Sequence, residues 1–376
     1  MKILIGADLV PTESNIPLFC KGDALSLVGD SLLQYMKKAD YRIFNLEVPL
    51  TDVSSPIDKC GPALIAPVSA IAGYRALGVD CLTIANNHIM DQGEQGFCST
   101  ISTLKCNGIS YVGGGKNLSE AARPFILTVE DKKIGIYACA EHEFSIAGEN
   151  KPGANPFDPL ESPDHISALK QQCDFVIVLY HGGKEHYRYP SPNLQKVCRK
   201  LVEKGADLVV CQHSHCVGCE EKYQGGTIVY GQGNFLFDHS ESEFWQTSLL
   251  VQIGDNFEIS YIPLKKVRNT VRLSEDDAIL EAFHMRSREI QQSGFVKARY
   301  SEFADEMITS YLLCFSGRRI SFLYRVINKL SGYRFIQWQM KRKFRKKTIL
   351  AIRNFVECEA HRELIIAGSA SNEYYL

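Results

Sequence analysis

The stretch CLTIANNHIMDQG, residues 81–93, places a polar cluster directly after a short apolar run. The run Cys81–Ala85 has the apolar and β-branched composition of a buried strand. The polar side chains that follow are those of Asn86, Asn87, His88 and Asp91. Because functional side chains of α/β sheets lie just past the carboxyl ends of strands, this ending predicts a site. Taken alone, the cluster fits equally well a helix entry capped by Asp91.

The same ending recurs along the chain. Further strand candidates are Ile3–Ile5, Arg42–Asn45, Ile134–Cys139, Phe175–Tyr180, Leu208–Cys211 and Ile228–Tyr230. The metal-capable residues that follow strand candidates are Asp8, Glu47, His181, His213, His215 and Asn234. Singly, Asp8 could cap a helix and Glu47 could be an exposed turn residue, whereas two histidines two positions apart in a loop favour ligation. Six such endings in one chain predict a metal site.

The spacing of apolar residues predicts an α/β fold. Amphipathic stretches at Val68–Leu77, Gly96–Asn107 and Pro192–Lys204 alternate with the strand candidates. This alternation is typical of helices layered on sheets whose strands are buried on both faces. Two later runs, Thr247–Ile253 and Phe257–Ile262, are expected to form the antiparallel end of a sheet.

A family resemblance rests on five blocks of sequence in order. They are NLE at Asn45–Glu47, ANNHxxDxG at Ala85–Gly93, HGGKEHY at His181–Tyr187, GADLVVCQHSH at Gly205–His215 and YGQGNF at Tyr230–Phe235. The series resembles the CapA family of poly-γ-glutamate capsule synthesis proteins, which is similar to calcineurin-like metallophosphatases. The resemblance covers roughly residues 1–262. It implies a metallophosphatase-like layered α-β-β-α sandwich.

The resemblance also implies roles for individual residues. Asp8 and His215 would bind one metal, Glu47 would bridge two metals, and the second metal would be held by Asn87, His181 and His213. His88 would be the general acid and Asp91 would hold its imidazole. The pocket is expected to include Asn45, Glu185, His186 and Asn234. Oxygen and imidazole ligands favour one or two divalent transition-metal ions, namely Mn, Zn or Fe.

The first motif departs from ordinary metallophosphatases. Their Asp-x-His is replaced here by Asp8, Leu9 and Val10, and their bridging Asp is replaced by Glu47. The first metal position therefore lacks an expected imidazole. This absence favours a scaffold, whereas the intact Asn87, His88 and Asp91 favour an enzyme.

Charge divides the chain of 376 residues into unlike parts. Residues 1–306 have a balance of −10, and residues 307–376 have a balance of +9. We place a boundary near residue 270, between a CapA-like domain at 1–270 and a helical, basic C-terminal extension at 271–376. Residues 307–356 hold twelve Lys and Arg, no Asp or Glu, and several aromatic residues.

The function of this basic segment has three possible interpretations. It suits peripheral contact with an anionic membrane, contact with an anionic polymer, or a solvated helical face. No base-reading motif accompanies the charge, so nucleic acid is not expected as a partner.

The predicted function follows from the resemblance. We expect capsule or exopolysaccharide biosynthesis, with poly-γ-glutamate as one option, and a metal-dependent hydrolase-like site of phosphoesterase type. The substrate would be an anionic polymer or a phosphorylated compound, and the partners would be polymer synthesis enzymes. The alternative is a non-catalytic scaffold of a membrane polymer synthesis or export complex. Scattered cysteines, with no leader pattern and no apolar run of about 18 residues, predict a cytoplasmic protein that could lie at the inner face of the membrane.

Overall fold

A computed structural model describes residues 1–317, 327–332 and 334–369. The chain divides into two compact units, Met1–Lys297 and Ala298–Leu376. The boundary expected near residue 270 lies at the start of a strand and stays a prediction about domains. Each unit is described by itself below.

The strands of the first unit form two main sheets and one small pair. In chain order they are β1 Ile3–Val10, β2 Tyr41–Asn45, β3 Cys81–Thr83, β4 Ser110–Val112, β5 Gly114–Gly115, β6 Phe125–Val129, β7 Lys132–Ala140, β8 Gly153–Ala154, β9 Phe175–His181, β10 Leu208–Gln212, β11 Glu220–Tyr223, β12 Gly226–Tyr230, β13 Asn234–Phe237, β14 Thr247–Ile253, β15 Ile259–Val267 and β16 Thr270–Leu273. The six strand candidates and the Cys81–Ala85 run each contain one of these strands or lie within it.

The helices occur in both units. They are α1 Ile16–Lys21, α2 Ala24–Lys37, α3 Ile71–Ala76, α4 Gly93–Cys106, α5 Leu118–Ala121, α6 Glu161–Lys170, α7 Pro192–Glu203, α8 Ala278–Glu289, α9 Phe295–Phe315, α10 Arg334–Lys343, α11 Lys346–Glu357 and α12 Glu359–Ser369. The predicted helix at Val68–Leu77 is shorter than expected, because its first turn is a 3₁₀ turn at Val68–Ala70.

Strand order brings the ends of the parallel strands to shared edges. The first sheet has the order β16-β15-β14-β1-β2-β3-β4, with β13 paired to β1, and its strands β1 to β4 are parallel. The second has the order β11-β12-β10-β9-β7-β6, in which β7, β9, β10 and β12 are parallel. Strands β14 and β15 pair antiparallel, as predicted.

Three apolar clusters separate four layers. One packs α1 to α4 on the first sheet, with Phe19 and Tyr74 fully buried. The second lies between the sheets and joins Ile5 of β1 to Ile177 of β9. The third packs α6 and α7 on the second sheet through Ile166 and related side chains. These layers confirm the α-β-β-α sandwich.

Local sequence explains how a typical layer forms. Ser191 caps α7 by accepting a hydrogen bond from the amide of Leu194, and Pro192 occupies the first turn, where its missing N–H costs nothing. Leu194, Cys198 and Leu201 recur at helical spacing and are buried against the sheet. The helix is therefore fixed at its start and along one face.

The described part of the second unit is helical, as expected for the C-terminal extension. Leu312, Ile336 and Met340 form its buried apolar cluster. Within the described residues, no helix combines the length and the apolar character needed to cross a bilayer.

Candidate metal centre

The carboxyl ends of β1, β2, β9 and β10 deliver polar side chains to one place. Asp8 lies in β1, Glu47 follows β2, and His181 ends β9. His213 and His215 follow β10 with positive φ angles of 84° and 53°. This conformation is uncommon for residues other than glycine and is often found at functional sites. The left-handed turn brings both imidazoles towards the carboxylates.

Two overlapping groups of side chains could each hold a metal ion. One consists of Glu47, His181 and His213, and the other of Asp8, Glu47 and His215. In each group the candidate ligand atoms all lie within 4.8 Å of one another. Glu47 belongs to both groups, as expected for a bridging ligand. The structure therefore brings these five predicted ligands together.

Asn87 joins the same cluster through its amide oxygen, which lies 3.0 Å from Nε2 of His181. That nitrogen is also 3.1 Å from Nδ1 of His213 and 3.4 Å from Oε1 of Glu47. Across the site, Nδ1 of His215 lies 3.4 Å from Oδ2 of Asp8. All six predicted ligands are thus neighbours.

The carboxylates supply an independent test of whether a cation fits. Asp8 and Glu47 are fully buried. Oδ2 of Asp8 and both carboxylate oxygens of Glu47 have no hydrogen-bond partner among the described residues. A buried ionised carboxylate without such partners is costly unless a positive charge lies close to it. Three buried carboxylate oxygens without hydrogen-bond partners, surrounded by imidazoles, are suited to bind a divalent cation.

Burial and the neighbouring charges also shift the pKa values of Asp8 and His215. Burial and the neighbouring Glu47 carboxylate both raise the pKa of Asp8. Burial lowers the pKa of His215, but the Asp8 and Glu47 carboxylates outweigh it and raise the value to about 9. The two carboxylates thus favour the positively charged form of His215.

The other two imidazoles of the cluster differ from each other. Burial opposes the charged form of His181, but Glu47 outweighs it and raises the pKa. Burial, together with the charge of His181, lowers the pKa of His213 well below its ordinary value. A neutral imidazole is the form that ligates metals.

The predicted catalytic pair lies beside this cluster. Nδ1 of His88 is 2.5 Å from Oδ2 of Asp91, and Asp91 is fully buried while His88 is 9% exposed. The backbone amide of Leu64 also donates to Oδ2 of Asp91, at 2.7 Å. Asp91 therefore fixes the orientation of the imidazole.

The predicted pocket residues differ in their placement. Asn45 donates to Oδ1 of Asp8 at 2.7 Å, and Oδ1 of Asn234 lies 2.9 Å from Nδ1 of His215, so both adjoin the cluster. The exposed His186 accepts a hydrogen bond from Trp245 at 2.9 Å, and its ring centroid is 6.3 Å from that of His215. Glu185 pairs with Lys184 at 3.8 Å and, within the described residues, hydrogen-bonds none of the six candidate ligands.

Sequence reasoning did not single out Lys59 or Glu143. Nζ of Lys59 lies 2.5 Å from Oδ1 of Asp91 and 3.3 Å from Nδ1 of His88. Oε2 of Glu143 accepts a hydrogen bond from Asn87 at 3.2 Å, and its other oxygen is 3.9 Å from Nε2 of His213. Both residues lie in irregular segments, away from the strand-end pattern that revealed the other residues.

The family model of the bacterial capsule synthesis protein PGA_cap matches residues 22–239, which is more than half of the chain. The chain belongs to this family. It is 30% identical to the capsule biosynthesis protein CapA of Bacillus anthracis over 213 residues. The matched region covers 54% of this chain and 52% of that protein. It is 31% identical to the PGA biosynthesis protein CapA of Bacillus subtilis strain 168 over 220 residues, or 56% and 57% of the two chains.

This PGA_cap chain spans about half the length of the curated relatives it matches. Among solved structures, it is similar to a phosphatase from Mycoplasma pneumoniae, with 14% identity and a TM-score of 0.44. That match covers 75% of this chain and 96% of the phosphatase.

Proposed function

We propose that this PGA_cap member is a metal-dependent hydrolase that acts in the synthesis of a capsule polymer. The observation that carries the proposal is Glu47, a buried carboxylate shared by two groups of potential ligands, whose oxygens have no hydrogen-bond partner among the described residues. Mn, Zn or Fe suits such a mixture of oxygen and imidazole ligands. We propose that the site binds one or two of these ions.

The cluster provides the ligands. Glu47, Asn87, His181 and His213 would hold one ion, and Asp8, Glu47 and His215 would hold the other. A divalent ion bound there would polarise a phosphoryl or carbonyl oxygen and make water more acidic. Substrates of both kinds, phosphoesters and amides of an anionic polymer, are consistent with this chemistry.

His88 is the proposed proton donor. Because Asp91 engages Nδ1, proton transfer to a leaving group falls to Nε2. Lys59 lies on the other oxygen of Asp91 and limits the movement of that carboxylate. Asp91 and Lys59 would hold the imidazole in place while the leaving group departs.

The test combines metal analysis with hydrolysis. We expect His88→Ala to lower hydrolysis of a phosphodiester or a γ-glutamyl polymer by ~10²–10⁴-fold with the metal retained. Substrates with a good leaving group should lose less, since they need no proton. Glu47→Gln is the control, because it should remove both metal and activity.

A scaffold function is the second candidate, and Val10 favours it. Val10 occupies the position of the second residue after Asp8, where metallophosphatases carry a histidine, and its side chain is buried in the apolar cluster under α1 to α4. A scaffold would bind polymer synthesis enzymes instead of turning over substrate. Metal-loaded protein that hydrolyses neither substrate class would support the scaffold and contradict the enzyme.

A further inference from the structure

Helices α10 and α11 carry exposed cations next to exposed apolar side chains. The inward sides of both helices pack on the apolar cluster of the second unit. Ile336 and Met340 of α10 are buried with Leu312, and Ile349 and Ile352 of α11 are partly buried against that cluster. We call the outward residues the basic faces. They consist of Trp338, Lys341 and Arg342 on α10 and Lys346, Lys347, Leu350 and Arg353 on α11.

Each basic face has an apolar side chain with cations one helical turn away. Trp338 is 54% exposed, and Lys341 and Arg342 lie three and four residues further along the same face. The guanidinium of Arg342 lies 4.8 Å from the centre of the Trp338 ring. Leu350 is 53% exposed and has Lys346 and Lys347 four and three residues before it. The arrangement repeats on two successive helices.

The segment that holds the basic faces has positive charge without acidic residues of its own. Residues 307–356 contain no Asp or Glu. In the described part of this segment, Arg353 pairs with Glu357 at 2.6 Å, whereas Lys341, Lys346 and Lys347 have no ion pair. Lys341 and Arg342 are adjacent in α10, and Lys346 and Lys347 are adjacent in α11, so an anionic partner would relieve the repulsion between these like charges.

We propose that the basic faces bind an anionic lipid surface. A lipid interface supplies both things that the faces lack, namely negative charge for the cations and an apolar layer for Trp338 and Leu350. Long Lys and Arg side chains can stay at the headgroups while a neighbouring apolar side chain is inserted. A free polyanion in water would neutralise the charge but would leave Trp338 and Leu350 exposed. The proposal is independent of whether the metal centre is catalytic.

The charge is tested by sedimentation of the full chain with vesicles. We expect binding to vesicles of phosphatidylglycerol and phosphatidylcholine, and much weaker binding to phosphatidylcholine alone. The variant Lys341→Gln/Arg342→Gln/Lys346→Gln/Lys347→Gln should bind up to roughly 600-fold more weakly, given about fivefold for each of the four cations. Lys37→Gln/Lys38→Gln/Lys196→Gln/Lys265→Gln is the matched control, because it removes the same charge from exposed positions of the first unit. It should bind like the wild type.

The apolar contribution is tested at high salt, where charge attraction is screened. Trp338→Ala/Leu350→Ala should remove the binding that remains there, whereas Leu25→Ala/Leu160→Ala, at two exposed leucines of the first unit, should not. All variants change exposed side chains, and far-UV circular dichroism checks that their helices are intact.

Three results would overturn the proposal. One is equal sedimentation with both vesicle types. Another is equal loss in the charge variant and its control. The third is vesicle binding that does not depend on Trp338 and Leu350 and is fully displaced by soluble polyglutamate, which would assign the faces to a free polyanion.

Discussion

Glu47 lies at the point where the two groups of ligands meet. Its carboxylate is fully buried, and burial alone would keep it neutral. The positive charges of His181 and His215 outweigh that effect and hold its pKa below the ordinary value. A buried carboxylate that stays ionised in such a place is suited to bind a cation.

The ligands can be tested one imidazole at a time. His213→Ala removes one potential ligand from the group that contains Glu47 and His181, so we expect at least tenfold weaker binding of Mn²⁺ or Zn²⁺. The fold should change little, because the sheets supply most of the stability. Metal content by elemental analysis and a thermal melt measure the two effects. His284→Ala, at an exposed histidine of α8, is the matched control. Equal metal content in both variants would contradict the ligand assignment.

Lys59 and Asp91 form a buried ion pair, with side chains 3% and 0% exposed. Removal of one partner from such a pair typically costs about 3–5 kcal/mol, and the lower end of that range applies here because Asp91 keeps the Leu64 amide and His88 as partners. We therefore expect Lys59→Met to lower the free energy of unfolding by about 3 kcal/mol in urea denaturation. The double variant Lys59→Met/Asp91→Asn should recover part of the loss.

An exposed ion pair of similar length provides the comparison. Lys170 lies 2.8 Å from Asp207, with side chains 36% and 30% exposed. Because water screens this pair, Lys170→Met should cost less than about 1 kcal/mol. Equal losses in Lys59→Met and Lys170→Met would mean that burial of the Lys59 pair has no energetic consequence.

At this scale the sequence predicts some residues and not others. His181 and His213 follow apolar runs, and parallel strands bring their ends to a shared edge, so their convergence could be foreseen. Lys59 lies in an irregular segment without periodicity, and its partner Asp91 is 32 residues away. No local pattern links such a pair, and only the folded chain reveals it.

Strand β1 shows how closely the elements around the site are packed. A Cβ atom at Gly6 would lie 2.0 Å from the Phe44 ring, which is fully buried and packs on Phe235. Overpacking of this kind typically costs about 1–3 kcal/mol. We expect Gly6→Ala to lower the free energy of unfolding by that amount. Gly6→Ala/Phe44→Leu should recover part of it, because the smaller side chain leaves room.

Gly148→Ala is the control for that substitution. The nearest atom to a Cβ at Gly148 is 3.5 Å away, an ordinary contact. Its effect should stay within about 0.5 kcal/mol, as for most surface substitutions. If denaturant unfolding gives the same midpoint for Gly6→Ala and Gly148→Ala, the contact between β1 and β2 is looser than described.

Some strands and helices can be predicted from the sequence, and others cannot. Runs such as Phe175–Tyr180 are long enough and apolar enough to predict buried strands, and β9 confirms that one. Short elements such as β5 and the 3₁₀ turn at Val68–Ala70 depend on tertiary contacts, and periodicity does not reveal them. The contact of Gly6 with Phe44 depends on strand register, which the sequence alone does not give.

The chain as a whole has two compact units with separate apolar clusters. The candidate ligands, from position 8 to position 215, all belong to Met1–Lys297. The described cluster of the second unit contains only three buried apolar side chains, those of Leu312, Ile336 and Met340. A small core supplies little stability, so the second unit should unfold at the lower temperature.

Metal binding should therefore act on one unit only. A ligand that binds the folded state alone at 100 times its dissociation constant stabilises that state by about 2.7 kcal/mol. For a unit the size of Met1–Lys297 this should raise the upper melting temperature by roughly 5 °C. The lower transition, followed by helical circular dichroism, should not move. Glu47→Gln should abolish the shift, because that residue belongs to both groups of ligands. A single melting transition for the whole chain that metal shifts would mean that the two units unfold together, and the division into independent folding units would then be wrong.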